Sequence, residues 1–191
     1  MQVAAIVLAA GLSRRAGDEN KLLRPWGDNC LVTHTVDQIA HSKVDQVIVV
    51  TGHQSTEVGR VLSASGKTEI VFNPDYETGI NQSIATGVSS IRSGTSGCLI
   101  CLGDMPFLTT SDYDLILETL KEKMAVGVRC IIQPRHGNMP GHPVGFSAHF
   151  FQELKSLPPR DTGAKSILSK NSDAIVELPV SSDHFVHDID V

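Results

Sequence analysis

Two glycines and three cations crowd the exit of the first apolar run in "VAAIVLAAGLSRRAGDENKLL", residues 3–23: Gly11, Arg14, Arg15, Gly17 and Lys21. A buried strand has no structural use for that much positive charge at its end. Glycine lets a backbone turn sharply and present N–H groups as an anion nest. Arginine adds a planar fork and lysine a point charge, so the combination suits a polyphosphate. The stretch is not a Walker A loop, since Gly17 is followed by Asp18, and it lacks the G-x-G-x-x-G dinucleotide spacing. A solvated basic loop without a ligand accounts for the same residues, and the two readings stay open at this point.

Carboxylates supply the second set. Asp104 follows an apolar run in "LGDMP", where it could cap a helix, remain solvated or hold a cation. Asp188 and Asp190 in "HDIDV" are two apart, so an extended segment points both to one face; an acidic tail has the same spacing. With a phosphate loop nearby, Mg²⁺ is the simplest metal for such a set, because it takes hard oxygen ligands and shares them with substrate phosphates. Gly79, Asn81 and Ser83 lie at a predicted helix start, where N–H groups favour an anion, although Asn81 and Ser83 also serve as ordinary helix caps. His136 and His142 fall in "RHGNMPGHPVGF", a run rich in glycine and proline that reads as a functional loop. Cys98 and Cys101 form a C-x-x-C, but a spacing of three in a strand puts them on opposite faces. No second pair completes a zinc site, so they read as buried thiols.

The elements that must carry these groups alternate. "AAIVL", "QVIVV", "EIVF", "GCLICL" and "CIIQP" read as strands. Helical spacing recurs over 31–42, from Ser55, over 80–91 and over 111–125. Continuously apolar strands separated by helices imply a mainly parallel, doubly wound α/β sheet with helices on both faces. Such sheets bind ligands beyond the carboxyl ends of their strands. The loops at 11–21, at Thr51-Gly52-His53, at 73–83 and at Gly103-Asp104 should therefore open on one edge. No linker or repeat divides the 191 residues, and one domain spanning 1–191 is expected.

Composition narrows the partners. A net charge of −5 argues against a nucleic-acid surface. No basic segment precedes the first apolar run, which is too short for a signal core or a membrane span, so a cytoplasmic protein with no membrane partner is expected.

"LAAGLSRRAGDENKLLRPWG" resembles the L-A-[AG]-G-x-S-x-R-M-G-x(2,3)-K signature of the nucleotidyltransferases that modify the molybdenum cofactor. Arg15 falls on the signature arginine, Lys21 on its lysine, and Arg14 on a variable position. "VTGHQ", "NPDYETGINQSIATGV", "CLGDMPFLT", "GHPVGF", "DTGAKSIL" and "HDID" extend the resemblance in order through the chain. The Ala-Ala-Gly form is similar to the cytidylyltransferase branch. Two features depart from the pattern: Ala16 replaces the usual Met, and the sequence stops at "DIDV" where the family continues D-x-D-T-P.

The resemblance implies a Rossmann-like nucleotidyltransferase fold and transfer of CMP from CTP, or another NTP, to a molybdopterin-type phosphate, releasing pyrophosphate. It assigns Arg15 and Lys21 to the phosphates, and Asp104 and Asp190 to Mg²⁺ with Asp188 in reserve. It places the base against the backbone of Leu8, Ala9 and Ala10, and adds Gly11, Gly52 and Ser83 to the nucleotide site. Asn81 and His142 become acceptor contacts. Arg160, Asp161, Thr162 and Lys165 are either a pterin contact or a capped helix start. A molybdenum hydroxylase is the implied client. Two rivals are a nucleotidyltransferase for a sugar or polyol phosphate and a non-catalytic cofactor carrier. Ala16 and the short end favour the carrier, whereas Arg15, Lys21 and Asp104 argue against it.

Overall fold

Seven consecutive buried residues, Val3–Ala9, form strand β1. They alternate in what they touch: Val3, Ala5, Val7 and Ala9 face one core, and Ala4, Ile6 and Leu8 face the other. That period of two makes β1 the inner strand of a sheet covered on both sides. The computed structural model describes residues 1–12, 20–62 and 67–189. After β1 come a short hairpin of β2 (Pro25–Trp26) and β3 (Asn29–Cys30), then α1 (Leu31–His41), β4 (Gln46–Thr51) and α2 (Ser55–Val61). The chain continues through β5 (Thr68–Phe72), α3 (Ile80–Ser89), β6 (Gly97–Leu102) and α4 (Thr110–Ala125). The remainder comprises β7 (Ile131–His136), β8 (Met139–Pro140), β9 (Val144–Ser147), α5 (Phe151–Lys155), α6 (Lys165–Lys170) and β10 (Ile175–Pro179).

The main sheet has the order β10-β7-β9-β6-β1-β4-β5, with β8 folded back on β7. β1 pairs in parallel with both β4 and β6, β4 with β5, and β7 with β10. Only β9 and the short β8 run against the rest. The mainly parallel doubly wound sheet expected from the sequence is therefore the observed one, with a correction. The stretch 135–146 is not one long loop: it contains the turn of the β7–β8 hairpin and most of β9, wedged antiparallel between β6 and β7. Glycines, prolines and histidines mask a four-residue strand whose Val144–Ser147 are all buried.

Helices α1, α2 and α4 cover one face through Leu31, Val36, Ile39, Val58, Ile116 and Leu120. α3, α5 and α6 cover the other through Ile84, Val88, Leu154 and Ile167. In α4 the buried Tyr113, Ile116, Leu117 and Leu120 keep the i, i+3, i+4, i+7 spacing of a one-sided helix, and a Thr109–Asp112 capping box starts it. Cys98 and Cys101 go to opposite cores, both fully buried, and desolvation pushes both thiols up. No described helix is long and apolar enough to cross a membrane.

α3 lies close on the sheet because Gly87 has no side chain. A Cβ there would come 2.3 Å from Ile6 Cγ2 and 3.0 Å from Val50 Cγ2. Gly→Ala inside a helix ordinarily stabilises by about 1 kcal/mol. Overpacking costs about 1–3 kcal/mol, and Ile6 sits on a central strand that cannot retreat. Gly87→Ala should therefore destabilise by about 1–2 kcal/mol, read as a lower urea midpoint; an unchanged or higher midpoint would contradict this packing.

Candidate functional site

Register decides which loops meet. Ala9 is level with Thr51, Thr51 with Phe72, and Leu8 with Leu102, so β1, β4, β5 and β6 end along one edge. β9 enters this edge from the opposite direction, with Val144 beside Ile100. His142 thereby arrives at the place where β6 gives way to Gly103 and Asp104. The four loops expected to share an edge do so within the described residues, and the His142 segment joins them.

Lys21 and Asp104 meet there. Lys21 Nζ lies 2.5 Å from Asp104 Oδ2, with the two side chains only 22% and 14% exposed. The same ammonium donates to the carbonyl oxygen of Ile189 at 3.2 Å. The Ile189 N–H donates in turn to the Asp104 carbonyl at 3.0 Å. Lysine, carboxylate and a C-terminal carbonyl thus close a small polar ring. Asn20 positions the lysine: its side chain accepts the Leu22 N–H and donates to the His53 carbonyl, tying the turn at Lys21–Leu23 to the end of β4. Asp104 is held by Gly103, whose N–H donates to the Leu8 carbonyl at 3.1 Å.

That bond corrects the reading of Leu8. It is a strand residue paired on both sides, and its carbonyl seats Gly103 instead of being offered to a base. Ala9 is the last residue of the strand, while Ala10 and Gly11 lie beyond it. The Ala10 carbonyl accepts from His53 N at 3.4 Å. Gly52 is packed shut: a Cβ would fall 2.5 Å from Tyr76 Cβ and 2.9 Å from Ala10 Cβ. Glycine there lets the loops after β1, β4 and β5 touch, with Tyr76 ringed by His53 and Phe72.

The start of α3, left open between an anion site and an ordinary cap, is occupied from within the chain. Its N–H groups do not wait for an external anion. Ile80 N donates to Asp161 Oδ1 at 3.2 Å and Asn81 N to the Arg160 carbonyl at 3.2 Å. The chain supplies its own carboxylate to the positive end of the helix; Asp161 therefore serves α3 and not the nearby α6, whose N-cap Ala164 makes no side-chain capping bond. Asn81 is fully buried and donates to the Pro158 carbonyl and Thr162 Oγ1, so it straps the 158–162 segment to α3. Its Oδ1 is buried with no protein partner. Gly79 takes φ +119 because a Cβ would strike the Arg160 carbonyl group 2.4 Å away. Ser83 accepts from buried Asn73, whose own Oδ1 accepts the Asp75 N–H. Asn20 and Asn73 were not singled out from the sequence. Asn20 precedes Lys-Leu-Leu as a turn cap would, and Asn73 opens "NPD", a turn signal.

His142 is fixed by its N–H donating to the Phe185 carbonyl at 2.8 Å. Its Nδ1 is buried with no protein partner. Burial lowers its pKa below the usual histidine value; Asp104, Asp188 and the Ile100 carbonyl pull the other way without prevailing. His136 sits apart, Nδ1 facing the Val180 carbonyl at 3.3 Å. Arg14, Arg15 and Asp190 lie outside the described residues. Among those described, no three His, Cys, Asp or Glu side chains gather around a metal position. Among the described residues, the Asp104 carboxylate and the Ile189 carbonyl that accept from Lys21 are nonetheless hard oxygens of the kind Mg²⁺ takes.

A doubly wound sheet that gathers a lysine and a carboxylate at the ends of its parallel strands suits a nucleotidyltransferase. The sequence description of the MobA-like NTP transferase domain matches residues 5–175, and the chain belongs to that family. It is 31% identical to the molybdenum cofactor cytidylyltransferase of Escherichia coli K12 over 73% of this chain and 67% of that one. It is 32% identical to the bifunctional protein GlmU of Listeria innocua over 63% of this chain, which spans only 26% of that protein. Rv0371c of Mycobacterium tuberculosis H37Rv superposes with a TM-score of 0.78 at 26% identity, covering 94% of this chain and 88% of that one. A structure of Rv0371C in complex with manganese, at 24% identity and TM-score 0.75, shares the fold.

Because folding lowers the His142 pKa, the unfolded chain binds its proton more readily. The stability this group contributes is full above about pH 6.5 and is lost as pH falls through the depressed folded value. Wild type should lose more melting temperature between pH 7.5 and 5 than His142→Gln does, with about 1.4 kcal/mol for each tenfold change in proton affinity. Parallel pH profiles for the two proteins would refute a neutral, buried ring.

Proposed function

We propose that this nucleotidyltransferase moves CMP from CTP onto the phosphate of a molybdopterin-type cofactor and releases pyrophosphate. The observation that carries the reading is Lys21 meeting Asp104 and the Ile189 carbonyl at the strand ends, in a chain similar to a molybdenum cofactor cytidylyltransferase. One domain spanning 1–191 performs the transfer. A terminal oxygen of the acceptor phosphate attacks the α-phosphorus, and the bond from that phosphorus to the bridging oxygen breaks. Pyrophosphate leaves with the electron pair. The acceptor is already ionised near neutral pH, so no general base is required. Positioning and charge neutralisation dominate such transfers.

Lys21 holds the phosphates as a point charge and Arg15 as a fork. Asp104, with Asp190 and the Ile189 carbonyl, holds Mg²⁺, which when bound neutralises charge on the triphosphate. Gly11 and the backbone of Ala9 and Ala10 receive the base, and the small Ala10 side chain favours a pyrimidine. Gly52 and Ser83 support that pocket through Tyr76 and Asn73. His142, neutral at physiological pH, backs the acceptor side of the edge next to Asp104, and Asn81 shapes that side by holding the 158–162 segment. The family description names an NTP transferase without naming an acceptor, which supports a second reading in which the acceptor is a sugar or polyol phosphate and the chemistry is unchanged.

Pyrophosphate release from CTP, GTP, ATP and UTP, each with Mg²⁺ and with or without molybdenum cofactor, tests the proposal. Cofactor-dependent release from CTP, reduced on the order of a hundredfold in Asp104→Ala, is the expected result. Release that requires a sugar phosphate selects the second reading. Cofactor binding with no release from any nucleotide overturns the enzyme and leaves a carrier.

A further inference from the structure

Lys21 does more than wait beside the site. Its ammonium stands where two hard oxygens converge: Asp104 Oδ2 at 2.5 Å and the Ile189 carbonyl at 3.2 Å. Both partners are shielded, so this is not a solvated pair of the kind that contributes little. The Ile189 N–H is anchored on the Asp104 carbonyl, and Phe185, four residues earlier, is buried in the core. The backbones that carry the two oxygens are therefore tied to each other independently of the cation between them. Lysine is a long, flexible side chain whose head can leave such a position, whereas the backbone at Lys21–Leu23 is capped by Asn20.

We infer that the Lys21 ammonium and a divalent cation are alternative occupants of one oxygen site, so that the ligand-free protein excludes its own metal. The inference rests on the proposed nucleotidyltransferase reading and deepens it. A hard divalent cation reaching Asp104 displaces the ammonium, and the displaced ammonium is then available to a triphosphate. The metal arrives with the nucleotide, because the phosphates accept Lys21 and thereby remove the competitor. By linkage, whatever Lys21 costs the metal in affinity, the metal costs the Lys21–Asp104 pair. Without this exclusion, a resident metal would leave Lys21 held beside it against like charge.

Mn²⁺ binding to nucleotide-free protein, followed by the paramagnetic resonance signal of the free ion, tests the exclusion without any turnover. Wild type, Lys21→Met, Asp104→Asn and the double variant form a cycle. Lys21→Met should bind Mn²⁺ on the order of tenfold tighter than wild type, and the gain should vanish in the Asp104→Asn background. Lys21→Gln gives the same comparison if Lys21→Met loses its cooperative melt. Equal affinity in wild type and both lysine variants overturns the inference. An equal gain with and without Asp104 also overturns it, because that would be a general effect of removing charge. Failure here with cofactor-dependent release from CTP intact rejects the exclusion alone, whereas absence of release from every nucleotide rejects the underlying reading.

Discussion

The backbone of β1 has no access to water along seven buried residues, so its peptide groups must be satisfied by neighbouring strands. A buried, unpaired amide costs about 1–3 kcal/mol, and several in one strand would exceed the stability of a domain. β4 and β6 meet that demand in parallel and in register. Their alignment is therefore set by hydrogen bonding and not by anything at the site. The site inherits it: Gly103 reaches the Leu8 carbonyl because β6 ends level with Leu8, one residue before β1 does, and His53 reaches the Ala10 carbonyl because β4 ends level with Ala9.

The chain then closes the edge from a distance. The segment after β10 places Phe185 in the core and runs its backbone past two site elements. It accepts from His142 N through Phe185 and donates to Asp104 through Ile189. Gly141 makes this possible, since a Cβ there would lie 2.5 Å from the Phe185 carbonyl oxygen. Residues more than 160 positions apart thus meet at Lys21 and Ile189. The carbonyl is as much a part of the polar ring as the carboxylate.

Charge is managed differently on the two sides of the edge. On one side Lys21 and Asp104 neutralise each other. On the other, Asp161 caps α3 and Asn81 straps the segment that carries it. A neutral His142 lies near Asp104 and Asp188, its imidazole kept uncharged by burial despite both carboxylates. Buried neutral imidazole and shielded ion pairs leave directional groups, such as the His142 Nδ1 and the Asn81 Oδ1, with no partner in the protein.

Much of this was legible in the residues. The unbroken apolar run "VAAIVLA" names a strand covered on both faces, and the spacing in "SDYDLILETL" names the buried side of α4, because local pattern reports burial directly. Gly11, Lys21 and Asp104 could be picked out because cations and carboxylates beside apolar runs lack a structural reason. Other features had no local signal. β9 hid in a glycine-rich stretch, since its strand character comes from the gap between β6 and β7. Which backbone groups are free at Leu8 and at the start of α3 had no local signal either, because that depends on what packs against them. Sequence by itself determined the α/β class, the edge on which the site opens and the chemical types gathered there, all of which follow from short-range pattern. Only the tertiary structure decided that Lys21 pairs with Asp104, that Ile189 supplies a carbonyl and that Asp161 fills the helix end. Those are contacts across long loops, fixed by register and close packing, which no short window of residues contains.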